Sequence, residues 1–271
     1  MFDFTVKSLS KTITQIIDPT GVTCFLVQGA KRAALIDTGT GLCGLRELVA
    51  QLTTLPLTVL LTHGHCDHAG GAGEFDEIYL NAADLPLAAN HGALQERMGY
   101  ARFSMPSDSA FTEQDFAKAF TGEYLPLVDG QLFELGGITL EIIAVSGHTK
   151  GSMCILFQEE RSILFGDALN VNTLLVGDES TTIVEYAQSL LRLKAREGDY
   201  DTTYYSHGPA VGPCQCLDDN IELCERILAG EDDAIPCEFF GMKAYRAAAM
   251  DEHFRRLDGK FGNIVYSQAK K

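Results

Sequence analysis

The chain has 271 residues, 46% of them hydrophobic, and 37 acidic against 21 basic side chains give a formal net charge of −16. That length and apolar content allow a sizeable core, as one large domain or two small ones, without disulfide support. The charge disfavours a nucleic-acid partner, since the best basic runs, Arg255-Arg256 and Lys270-Lys271, are too short to offset repulsion by a phosphate backbone.

In chain order, strands are expected at Phe2–Val6, Thr12–Ile17, Val22–Val27 and Arg32–Ile36, separated by turn residues such as Pro19-Thr20-Gly21 and Gly29-Ala30-Lys31. The last of these runs ends at Asp37. That residue suits a turn or helix cap, and also an acceptor supporting the loop that follows Leu61. A helix is expected over Leu42–Leu52, with Leu42, Leu45, Leu48 and Val49 on one face.

The apolar run Leu57–Leu61 reads as a buried strand, and it leads directly into Thr62-His63-Gly64-His65-Cys66-Asp67-His68-Ala69-Gly70-Gly71. Three imidazoles and a carboxylate within six residues form a ligand set for zinc and other borderline divalent metals. His63 and His65 are two apart and cannot share a helix face, whereas a loop can aim both at one ion. Gly64, Gly70 and Gly71 permit the tight backbone this requires. Cys66, inside the motif, is expected to be packed and inert.

A strand follows at Glu77–Leu80 and a helix at Ala82–Asn90, with His91 as a surface or C-capping residue at its end. Residues 92–126 fit neither period. Met98–Pro106 reads as loop and Thr112–Phe120 as a short helix, and the whole excursion suits a lid, a binding loop or a surface insertion. Gln131–Leu135 and Ile138–Val145 form a hairpin that delivers His148 among glycines. Met153–Phe157 and Arg161–Phe165 form another, which delivers Asp167. A helix over Thr181–Ala195 buries Ile183, Tyr186, Leu190 and Leu193. The strand Thr202–Tyr205 delivers His207, a helix over Leu217–Leu228 closes the pattern, and residues 231–271 form a short extension. Four strands thus each end in a potential ligand, which is how distant segments build a metal centre.

The eight cysteines, at 24, 43, 66, 154, 214, 216, 224 and 237, have no framework spacing. Met1–Lys7 lacks the apolar stretch of an export signal, and no run approaches membrane-spanning length. Reduced thiols in a cytoplasmic protein are expected.

Taken together, His63-x-His65-x-Asp67-His68, His148 in Gly-His-Thr-x-Gly-Ser, Asp167 in Phe-Gly-Asp and His207 in Ser-His-Gly resemble the metallo-β-lactamase-fold hydrolase superfamily. The match runs from about Val22 to about Leu228. The resemblance implies an α+β fold: a four-layer αββα sandwich of two mixed β-sheets face to face with helices outside, in a single domain over 1–271. It implies that His63, His65 and His148 hold one metal, that Asp67, His68 and His207 hold a second, and that Asp167 bridges them. Two divalent ions are then the cofactors, zinc favoured, with iron or manganese compatible with the same ligands. A hydroxide shared by the metals would attack the substrate, with Asp67 handling a proton.

Within that superfamily the chain is most similar to the glyoxalase II and N-acyl-homoserine lactone lactonase branches, so a small molecule with a thioester or lactone bond is the expected substrate. Two departures stand out. Asn170–Leu175 replaces the Gly-Cys-Gly-Arg-like segment of glyoxalase II, and its basic C-terminal helical domain is shortened. Lys243 and Arg246 are candidates for a substrate carboxylate, and Tyr204 or Tyr205 for the lactonase tyrosine. Surface or core placement is the alternative for each. A non-hydrolytic diiron redox or sensing protein, and a metal-dependent binding module, remain as other classes. The oligomeric state, homodimer included, is left open.

Overall fold

A computed structural model describes residues 3–42, 44–239 and 241–271. The chain forms two compact units, Met1–Ile142 and Ile143–Lys271. In the first, strands β1 (Thr5–Ser8), β2 (Ile13–Ile17), β3 (Thr23–Gln28), β4 (Ala33–Ile36), β5 (Leu57–Leu60), β6 (Ile78–Leu80) and β7 (Leu125–Pro126) make one seven-stranded sheet in chain order. Its helices are α1 (Leu45–Leu52), α2 (Cys66–Ala69), α3 (Leu85–His91) and α4 (Leu94–Ser104). The hairpin β8 (Leu132–Glu134) and β9 (Thr139–Ala144) follows, and β9 carries the chain into the second unit. Two of the expected positions, Phe2 and Cys43, lie outside the described residues.

The strands β1 to β4 are antiparallel, joined by short turns. From β4 onward the pairing is parallel, because α1 and later connections return the chain to the same end of the sheet. All four residues of β4 are buried, as expected for a strand covered on both faces. Leu45 and Val49 of α1 pack with Leu26, Leu35, Val59 and Ile78. The parallel register pairs Ile36 with Leu60, so β4 and β5 end side by side. Asp37 and the histidine loop therefore start as neighbours, at the strand ends where parallel sheets place their ligands.

Residues 92–126 depart from the sequence reading. Leu94–Ser104 is an eleven-residue helix where Met98–Pro106 reads as loop. Its buried positions are Arg97, Met98 and Ala101, so a cation interrupts the apolar stripe that would have marked it. The expected helix at Thr112–Phe120 is only a 3-10 turn, Glu113–Asp115, closed by reciprocal bonds between Thr112 and Asp115. Met98, Ala101 and Phe116 form a small cluster with Leu42. Arg97, 1% exposed, ties the excursion down: its Nη1 donates to Gly70 O at 3.0 Å and to Ala117 O at 2.8 Å.

In the second unit, β10 (Met153–Phe157), β11 (Ser162–Leu164), β13 (Thr202–Tyr204) and β14 (Val211–Gly212) pair in the order β14-β13-β11-β10, with β11 and β13 parallel. Between β11 and β13 lie β12 (Thr173–Leu175) and α5 (Ile183–Lys194). After β14 come α6 (Cys216–Ala229), β15 (Ile235–Phe239), β16 (Met242–Arg246) and β17 (Ile264–Tyr266). Residues 231–271, expected as an extension, supply three strands of a sheet ordered β12-β17-β16-β15. Pro236 falls in the edge strand β15, where a missing backbone donor is tolerated. The helix α5 starts at a capping box between Thr182 and Glu185, and the expected face of Ile183, Tyr186, Leu190 and Leu193 is buried. Among the described residues no helix is long and apolar enough to cross a membrane.

Replacing Arg97 by Met removes the donor to two buried carbonyls, Gly70 O and Ala117 O. The variant is expected to lose about 3 kcal/mol of stability. A lower urea midpoint, followed by circular dichroism, checks this.

Candidate metal centre

In the first unit the candidate ligands stand on the loop after β5 and on the single turn α2. His63 and His68 are buried, Asp67 nearly so, and His65 half-buried. The rings of His63 and His68 lie 4.1 Å apart, and those of His63 and His65 4.9 Å apart in an edge-on contact. The turn α2, not expected from the sequence, carries both Asp67 and His68.

Asp37 orders this loop, as the sequence suggested. Its carboxylate accepts from the Thr62 backbone N–H at 2.7 Å and from the Thr62 hydroxyl at 2.8 and 3.0 Å. It also accepts from His68 Nδ1 at 2.8 Å. The residue is fully buried and its backbone is left-handed, with φ of 61°, a conformation that costs free energy outside glycine and persists only where surrounding bonds impose it. The bonds also decide a tautomer. A carboxylate only accepts, so His68 carries its proton on Nδ1 and its lone pair on Nε2. The Thr62 hydroxyl, committed as donor to Asp37, accepts from His63 Nδ1 at 3.1 Å and leaves the His63 lone pair on Nε2 as well.

The second unit repeats the device with a different acceptor. His148 follows β9, and its Nδ1 donates to Leu174 O of β12 at 2.9 Å, which again puts the lone pair on Nε2. Asp167 follows β11 after Gly166, whose φ is +57°. His207 follows β13 with its side chain 30% exposed. Tyr186 braces two of these positions: its hydroxyl donates to Ala168 O at 2.6 Å, and a Cβ on Gly147 would lie 2.2 Å from its ring. Gly147 is therefore needed beside His148 so that the tyrosine can pass.

The donor atoms are spaced for a shared cation. His148 Nε2 lies 3.7 Å and His207 Nε2 3.3 Å from Asp167 Oδ2. In the first unit His68 Nε2 lies 3.6 Å from Asp67 Oδ2. Charge-assisted N–H···O bonds run shorter, at about 2.7–2.9 Å. Two ligands on one ion at about 2.0–2.1 Å in tetrahedral geometry are roughly 3.4 Å apart. A lone pair directed at a carboxylate at this range is repulsive unless a cation neutralises both, so the donor sets in each unit fit a divalent metal.

Other candidates resolve differently. Cys66 is buried as expected, and burial together with the Asp67 charge pushes its thiol well up. Tyr204 packs edge-on to Phe157, and Tyr205 packs on Phe165 with its hydroxyl donating to Pro213 O, so both are core residues. On β16, Lys243 is exposed and Arg246 half-buried. The described cysteines are free. His91 is the residue the sequence placed worst. It ends α3 as expected, yet its ring lies 5.0 Å from that of His65. The signal that could have found it is spacing, since Asp84, Ala88 and His91 fall on one face of α3.

The family model described as the metallo-beta-lactamase superfamily matches residues 17–207. The human acyl-coenzyme A thioesterase MBLAC2 is 28% identical over 190 residues, 62% of this chain and 66% of that protein. An atrochrysone carboxyl ACP thioesterase of Aspergillus fumigatus is 33% identical over 178 residues, 64% of this chain and 46% of that one. The chain thus spans just under two thirds of the length of the first of these relatives and under half of the second. Among solved structures, a metallo-beta-lactamase from Pontibacter korlensis superposes with a TM-score of 0.60 at 19% identity, covering 82% of this chain and 99% of that one. A metallo-beta-lactamase family protein from Thermus thermophilus gives 0.58 at 24%, covering 82% of each. The fold expected from the sequence, mixed sheets with helices in the metallo-beta-lactamase manner, is the fold found.

Replacing Asp37 by Asn turns one acceptor into a donor facing His68 Nδ1. His68 is then expected to move its proton to Nε2, so that its lone pair shifts to Nδ1. Long-range proton–nitrogen NMR of the histidine rings checks this, with the Nδ1–H form in the parent protein and the Nε2–H form in the variant.

Proposed function

The chain belongs to the metallo-beta-lactamase superfamily, and from that membership we propose that it is a metal-dependent hydrolase that cleaves the thioester of a small acyl compound. In that reading His63, His65 and His148 would hold one divalent metal and Asp67, His68 and His207 a second, with Asp167 available to both; zinc would suit these donors. The observation that carries the proposal is the set around Asp167. Two imidazole nitrogens stand 3.7 and 3.3 Å from one carboxylate oxygen, and the His148 tautomer is fixed by Leu174 O. The thioesterase names of the relatives favour a thioester over a lactone.

When bound, the metals supply Lewis acidity and make water a nucleophile near neutral pH. The side chains then have limited tasks. Asp37, Thr62 and Leu174 O keep the lone pairs of His63, His68 and His148 on Nε2. Asp67 takes the proton of the attacking water. Water adds to the carbonyl carbon, the C–S bond breaks, the proton held by Asp67 passes to the departing thiolate, and the products are carboxylate, thiol and one proton released to solvent. A thiol of pKa about 8.5 leaves readily as thiolate, so no strong general acid is required of the chain. No serine or cysteine nucleophile is needed, which agrees with the buried, unreactive state of Cys66.

Purified protein offered an acyl-coenzyme A thioester and an acyl-homoserine lactone is expected to turn over the thioester at least tenfold faster. His65→Ala and Asp167→Ala should each lower kcat by at least about 100-fold while the circular dichroism spectrum is retained. Asp67→Asn should cost about 100-fold or more through loss of proton transfer. Full activity in Asp167→Ala, or faster lactone cleavage, would contradict the proposal.

A further inference from the structure

We infer that α3 is a clamp that positions the His63-Gly64-His65 turn, acting through Asp84 at its start and His91 at its end. The inference rests on the reading of His63 and His65 as metal ligands.

The N-cap residue Asp84 and two residues of the helix, Ala88 and His91, meet the turn, a spacing of four and then three that puts them on one side. Asp84 is the N-cap residue, where an aspartate ordinarily accepts from its own helix. It makes no such cap bond. Its Oδ2 instead accepts the backbone N–H of Gly64 at 2.9 Å, between the two histidines. The residue is 1% exposed, and a carboxylate is costly to bury unless hydrogen bonds compensate it. In the middle of the face, α3 lies directly against the turn: a Cβ on Gly64 would sit 2.9 Å from Asp84 O and 3.0 Å from Ala88 N. Glycine is thus required at 64 by close approach of the helix.

At the far end the His91 ring lies 5.0 Å from the His65 ring, tilted 44°. His65 also meets His63, edge-on at 4.9 Å. The His65 imidazole is therefore in contact with two rings, one of them on α3. One rigid element thereby sets the backbone between two ligands and the ring plane of one of them. Asp84 and His91 are positioning residues, and neither is assigned contact with substrate.

The test uses cobalt(II) as probe, since its visible absorption reports ligand geometry. Metal-stripped full chain is titrated with cobalt(II), reading affinity and spectrum together. Asp84→Ala and His91→Ala are expected to weaken binding about 10–100-fold and to shift the absorption bands. Asp84→Asn keeps an acceptor oxygen for Gly64, and His91→Phe keeps a ring against His65. Both should hold the parental spectrum with affinity within about threefold, below the range expected for a lost supporting contact. Parental affinity and spectrum in both alanine variants would overturn the clamp, as would Asn and Phe variants as impaired as the alanine ones. Should Asp84→Ala fail to fold, the His91 pair decides, because that residue is half-buried at a helix end. A parent protein that takes up no cobalt, like a His65→Ala variant that binds it normally, would overturn the metal reading itself and the clamp with it.

Discussion

The carboxylate of Asp37 takes the Thr62 backbone N–H at 2.7 Å, the Thr62 hydroxyl and His68 Nδ1 at 2.8 Å, and much of the first unit follows from satisfying it. A buried carboxylate in left-handed backbone is unfavourable on both counts unless its acceptors are filled. The parallel pairing of β4 with β5 brings it to a place where three donors converge. The sheet register is thereby converted into a choice of histidine tautomer, and the tautomer decides which nitrogen a metal meets. Strand order, not local propensity, is what sets Asp37 beside the histidine loop.

The second unit solves the same problem without a carboxylate behind its histidine. Leu174 O takes the part of Asp37, and it is held in place because β12 is a strand of the C-terminal sheet. Residues 231–271 thus act on His148 through β17 and β12 rather than as an appendage. Tyr186 adds a brace, joining α5 to the backbone beside Asp167. Each unit holds its histidines from behind through Nδ1, which leaves the lone pair on Nε2 in His63, His68 and His148.

The sequence made much of this legible where periodicity and chemistry agreed. The strands β2 to β6 and the hairpins show alternation or apolar runs and α5 helical spacing, and five of the seven candidate ligands stand next to glycine. What stayed hidden has physical causes. The helix α4 buries Arg97 among apolar neighbours, so its stripe does not read as apolar. The strand β15 holds a proline that edge position alone permits, and β12 and β17 are three residues each. The nearness of His91 to His65 comes from packing of α3 on Gly64, which no single residue type signals.

The central claim is that two metals held by these side chains hydrolyse a thioester. It is tested most directly by following acyl-coenzyme A hydrolysis in chelator-stripped protein as zinc is returned and bound zinc is counted. The account predicts no hydrolysis in the stripped protein, and activity that rises with bound zinc and saturates near two ions per chain. Undiminished hydrolysis without metal, or two bound zinc ions with no hydrolysis, would contradict it.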